Sequence, residues 1–163
     1  MNPPAEPFYV ISFEEIILGG LMIGLTMAVH GIGMLLILRF NRELHKRLEK
    51  RNGVIYRLMP IVLASCLIMF VHLFEVMLWA AVFLWRGAFE NISLAYYFSL
   101  NDYTTVGSKF SLPIHLRLLE GMLATAGLLT FAWSTGVLIS LAREFQEQGM
   151  EVIRFRRRKK FDV

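Results

Sequence analysis

The sequence predicts an all-α membrane protein with three transmembrane helices, and three observations predict it. The composition is 56% hydrophobic with only 18% charged residues, too apolar for a soluble domain of this length. Three runs, Ile16 to Leu38, Leu58 to Trp85 and Leu118 to Ala142, each reach the roughly 20 mostly apolar residues that a bilayer-spanning helix requires. The basic residues are concentrated in the segments between and after those runs.

The N-terminal segment, residues 1–15 (MNPPAEPFYVISFEE), has no Lys or Arg. The run that follows lacks the basic n-region, the short apolar core and the small-residue cleavage site of a signal peptide, so it is expected to stay as the first helix, 16–38. Gly20, Gly24 and Ala28 place small residues every four positions along it. That spacing admits close approach, either to the second span or to another subunit. No Arg or Lys lies between Ile16 and Leu38, so nothing there can sense voltage.

The linker 39–57 carries seven of the 17 Lys and Arg residues. Glu43 stands four residues before Arg47, and Leu44 and Leu48 share a face, so the linker should extend the helices as a solvated amphipathic segment. In the second span, 58–85, His72 and Glu75 are three apart and therefore on one face, near the middle, where an ionised side chain is expensive. A proton switch, a metal-ligand pair, or a structural hydrogen bond to His30 or to Ser and Thr of the third span would each suit them. The hydrogen bond is the favoured reading, because two ligands fall short of the three usual at a catalytic zinc and no metal site is expected. Cys66 is the only cysteine, which excludes an intrachain disulfide.

The segment between the second and third spans holds only Arg86, Lys109 and Arg117, whereas the tail, 143–163, holds seven basic residues. By the positive-inside rule the N-terminus is outside, the linker inside, this segment outside and the C-terminus cytoplasmic. The segment reads RGAFENISLAYYFSLNDYTTVGSKFSLPIHLR. Asn91 or Ser93 can cap a short helix, which should end near Asp102 or Tyr103 because Thr104, Thr105 and Val106 are β-branched and Gly107 readily takes positive φ. Pro113 blocks direct continuation into the third span. A short helix dipping inward and an extended Thr-Thr-Val-Gly strand returning outward would form a re-entrant loop, tolerated only where protein buries it or water lines it.

Leu94 to Gly107 (LAYYFSLNDYTTVG), His72-Leu73-Phe74-Glu75 and Trp133-Ser134-Thr135 together resemble the pore module of two-helix potassium channels, especially small bacterial members of that family. The resemblance covers about residues 58–142, with outer helix 58–85, pore helix and filter 91–110 and inner helix 118–142. It implies a tetramer, homomeric or heteromeric, whose filter carbonyls replace the hydration shell of potassium or another monovalent cation. The residues implied at that filter are Thr104, Thr105, Val106, Gly107 and Ser108. Gly127 and Gly136 fall where an inner helix could bend for gating, although glycine is also frequent in membrane helices without that role.

The family motif continues Tyr-Gly-Asp where this chain has Ser108-Lys109-Phe110. The bracing tyrosine and the second glycine are therefore missing, and four Lys109 ammonium groups would ring the mouth of a tetramer, a device of anion pores. Asp102 could lie behind the strand and neutralise Lys109 of its own or a neighbouring subunit. Alternatively, Lys109 simply points into solvent.

The tail VIRFRRRKKF interleaves apolar residues with six basic ones, a composition suited to anionic lipids and not, directly after a span, to nucleic acid. No catalytic constellation can be assembled and no cofactor is expected. The expectation is a multi-pass cell-membrane protein that passes monovalent cations with weak selectivity. The alternative is a non-conducting channel homologue that acts as an assembly or regulatory subunit.

Overall fold

The computed structural model describes residues 10–48 and 53–161, with side chains through Gln146 except those of Val54 and Arg57. The described elements are all helical: α1 (Phe13–Leu48), α2 (Val54–Trp85), α3 (Ile92–Tyr103), a single 3₁₀ turn (Ile114–Leu116) and α4 (Leu118–Phe161). Three of the helices are long and apolar enough to cross a membrane, consistent with a multi-pass membrane protein. Each outruns its apolar stretch: α1 continues through most of the basic linker, and α4 continues to Phe161. The basic side chains from Arg154 to Lys160, which carry the expected lipid contact, lie outside the described residues.

The helix starts are fixed by side chains. Ser12 caps α1, its Oγ accepting from Glu14 N at 3.1 Å, and Glu15 reaches back with Oε2 to Ser12 N at 3.0 Å. This reciprocal pair satisfies donors that a helix start leaves without intrahelical partners. The other oxygen of Glu15 accepts from Leu118 N at 3.2 Å, the first residue of α4, so one buried carboxylate serves two helix starts. Asn91 caps α3, with Oδ1 accepting from Leu94 N at 2.9 Å, as its position in the sequence predicts.

The chain divides into two compact units. One comprises residues up to Val29 together with Leu73–Leu129, and the other comprises His30–His72 together with the chain from Thr130. The first unit packs Trp79 and Phe83 of α2 against Phe98 of α3 and Leu119, Leu123 and Ala126 of α4. Phe83 meets Phe98 edge-on, with centroids 5.6 Å apart at 80°, the geometry that aromatic quadrupoles favour. Trp79 donates Nε1–H to Thr26 Oγ1 at 3.0 Å, which spares the indole an unmade hydrogen bond in an apolar setting. The second unit is built around Met34, Ile37, Ala64, Ile68 and Leu141.

The buried stripe of α1 runs Glu15, Met22, Thr26, His30, Met34, Ile37. Gly20 and Gly24 fall off this stripe, and a Cβ added at either would meet nothing within 4 Å. The expectation that they admit close approach to the second span is therefore corrected for the described chain. Gly33 makes such an approach instead, since a Cβ there would lie 2.9 Å from a Val71 methyl. Outside the stripe, Leu35, Phe70 and Leu128 are about 60% exposed (60%, 62% and 58%), a surface suited to lipid or to neighbouring helices and costly in water.

Candidate functional site

The C-terminal end of α3 organises the chemistry. Thr104 is the C-cap, and the chain turns back there: Thr105 N donates to Asp102 O at 2.9 Å and Val106 N to Asn101 O at 3.0 Å. These two bonds form the Schellman pair that closes a helix on a residue in the left-handed region. That residue is Thr105, with φ 61°, although a β-branched side chain is poorly suited to it and glycine usually stands there. Gly107 follows with φ 79°, and its N–H also donates to Asn101 O, at 3.2 Å.

An extended Thr104-to-Gly107 strand is expected from the sequence, and the structure corrects this to a capping turn. The physical reason is that the carbonyls ending α3 need donors, and Thr105, Val106 and Gly107 supply them. All three N–H groups are thus turned onto the helix, while among the described residues no hydrogen bond reaches the carbonyl oxygens of Thr105, Val106 or Gly107. Val106 is 76% exposed. Ser108 Oγ accepts from Phe110 N at 3.1 Å, and Lys109 is exposed.

Beside this turn lies a cleft of about 340 Å³, lined by Asp102, Thr105, Ser108, Ser111 and Glu120 together with glycines and apolar groups. Asp102 is only 9% exposed. Burial, and then repulsion from Glu120, raise its carboxyl pKa to about 6. No ion pair joins Asp102 to Lys109 among the described residues, so neutralisation within one chain, one of the arrangements the sequence suggests, is absent. Glu120 Oε1 accepts from Leu112 N at 2.6 Å, which fixes the loop between α3 and α4.

Glu75 is fully buried and accepts a 2.5 Å hydrogen bond from Tyr103 Oη, which ties α2 to the last residue of α3. Gly127 of α4 passes directly against the backbone of that same residue: a Cβ added there would overlap the Tyr103 carbonyl oxygen and stand 2.9 Å from its carbon. Gly136 faces open space, and α4 is an uninterrupted helix through both glycines.

In the second unit His72 Nε2 lies 3.0 Å from Ser134 Oγ, and the same oxygen lies 3.2 Å from His30 Nε2. The serine hydroxyl thus bridges two imidazoles beneath Trp133, whose ring is 5.6 Å from that of His30.

Sequence reasoning passed over Glu120, Tyr103 and Glu15. Glu15 had a usable signal, the Ser12-x-x-Glu15 capping-box spacing. Glu120 had a weaker one, an acid in the first turn of a long apolar helix. Comparison of the chain with protein-family models, curated proteins and solved structures finds no match.

Proposed function

We propose that the chain is one subunit of a potassium-channel-like membrane pore, assembled as a tetramer, that passes potassium and other monovalent cations passively and with weak selectivity. The observation that carries this reading is the arrangement at Thr105-Val106-Gly107, where donors point inward to α3 and carbonyl oxygens remain for an external partner. Carbonyl rings of this kind are how a potassium filter replaces ion hydration. Two further features agree. The C-terminal end of a helix carries partial negative charge, and α3 directs that end at the loop. Asp102 and Glu120 add carboxylates beside it. In this reading α3 is a re-entrant pore helix entered from outside, with the C-terminus cytoplasmic and the basic tail on anionic lipid.

A specific observation favours a second reading, a non-conducting subunit for another channel. Thr104 to Gly107 form a helix cap, not an extended strand, and Lys109 stands exposed after them where the family motif has glycine.

Reconstitution into liposomes under potassium, sodium and chloride gradients separates the two. The pore reading expects small cation fluxes with little chloride flux, increased by Lys109→Gly. A homogeneous tetramer silent to all three ions, both as wild type and as Lys109→Gly, refutes it in favour of the non-conducting subunit.

A further inference from the structure

We propose that the cleft between the end of α3, the loop after it and the start of α4 binds a hard divalent cation of the calcium class, held by the Asp102 and Glu120 carboxylates with hydroxyls of Thr105, Ser108 and Ser111. This site adjoins the filter reading and shares Thr105 and Ser108 with it, but it uses their side chains and does not depend on conduction.

The donor set argues for it first. The polar side chains lining the cleft offer oxygen alone, from two carboxylates and three hydroxyls, and no Lys, Arg, His or Cys lines it. Oxygen-only sites suit calcium and magnesium, whereas zinc and its neighbours take nitrogen or sulfur.

The state of Asp102 argues second and independently. The residue is 9% exposed and lines the cleft, yet among the described residues no hydrogen bond or ion pair reaches its carboxylate. Glu120, a second carboxylate, lines the same cleft. A largely buried anion beside another anion, with no hydrogen bond to it among the described residues, is compensated by a proton or by a cation. A divalent ion neutralises both carboxylates at once.

The surrounding backbone fits as well. The C-terminal dipole of α3 adds negative potential. Glu120 is held by Leu112 N through Oε1, which leaves its second oxygen for a ligand. Gly107 and Gly121 line the cleft without side chains. Calcium takes six to eight oxygens in irregular geometry, while magnesium demands a near-ideal octahedron. A mixed set in a space of about 340 Å³ therefore favours calcium bound partly through its own waters.

The test uses the full chain in detergent, stripped with chelator and then equilibrated with radioactive calcium in excess potassium chloride. The expected result is saturable uptake of one calcium per chain, weakened about tenfold or more by Asp102→Asn and by Glu120→Gln, since calcium affinity follows ligand charge. Glu120→Gln retains an oxygen to accept from Leu112 N, so it reports on charge even where Asp102→Asn does not fold. Circular dichroism confirms helicity in each variant. No saturable uptake by wild type, or uptake unchanged in folded Glu120→Gln, overturns the proposal.

Discussion

Substituting Gly127 by alanine distinguishes a packing glycine from a gating hinge. The added Cβ would stand 2.9 Å from the carbonyl carbon of Tyr103, 3.2 Å from its ring Cγ and closer still to the carbonyl oxygen. Carbon pairs are most favourable at about 3.5–4.0 Å, so α4 and α3 must separate by at least roughly 0.6 Å. Backbone cannot rotate out of the way as a side-chain tip would, which puts the cost near the upper end of the overpacking range, about 3 kcal/mol. Alanine returns up to about 1 kcal/mol through helix propensity, leaving a net destabilisation of about 2 kcal/mol. Gly136→Ala is the internal control, because a Cβ there meets nothing within 4 Å and the same propensity gain stands alone. Reversible unfolding in mixed detergent micelles, followed by circular dichroism, measures both. The expected order of stability is Gly136→Ala, wild type, Gly127→Ala. If Gly127→Ala matches or exceeds wild type in stability and changes only ion flux, the packing argument is wrong and the hinge reading takes its place.

Three further perturbations test the site. Asp102 has a folded pKa of about 6 against 3.8 for the free group, so the folded state holds its proton more tightly. Its contribution is fully present below the lower value and is lost as pH rises through the higher one, by at most about 3 kcal/mol. In chelator, the difference between wild type and Asp102→Asn in unfolding experiments should follow that pH window, and a pH-independent difference contradicts the assignment. Tyr103→Phe removes a donor from the buried Glu75 carboxylate and should cost about 1–3 kcal/mol; Glu75→Gln keeps an acceptor for the tyrosine and should cost less, so the reverse order in denaturant titration argues against the bond. Thr105→Gly relieves a left-handed φ of 61° and should stabilise the fold by roughly 1 kcal/mol after the extra entropy of glycine is counted, whereas a loss of thermal stability would mean that the threonine side chain contributes more than the strain costs.

The long elements were legible because their signals are local. Apolar length alone marks the three helices long enough to cross a membrane, and Asn91 with the β-branched run after Tyr103 marks both ends of α3. The turn was not legible, because Thr105 adopts a conformation against its own preference to close hydrogen bonds to Asp102 and Asn101. The need of the last helical carbonyls for donors, a local backbone demand, outweighs the side chain's own conformational preference. The small-residue pattern Gly20-Gly24-Ala28 misled for a related reason: the inward face of α1 is set by Met22, Thr26, His30 and Met34, one to two residues away around the helix. Pairing Asp102 with Lys109 looked reasonable along the chain, but the charge that perturbs Asp102 comes from Glu120 on another element, and no local pattern shows that approach.

Four carboxylates of the first unit, Glu15, Glu75, Asp102 and Glu120, are told apart by their partners. Glu15 holds the backbone at the starts of α1 and α4, Glu75 holds the tyrosine that ends α3, and Glu120 holds the loop before α4 at Leu112. Each accepts from a donor whose loss would leave a buried polar group without a partner, so each is accounted for by structure. Asp102 has no such donor among the described residues, although it is only 9% exposed. A fold that had only to place α3 could put a neutral residue there at lower cost, because an uncompensated buried charge destabilises where a neutral side chain of similar shape does not. Glu15 and Glu75 hold helix ends and do not line the cleft, whereas Asp102 and Glu120 both line it. Asp102 is therefore the cleft acid with no hydrogen-bonding task in the fold among the described residues, and its substitution, like that of Glu120, should weaken ion binding while leaving the helices intact.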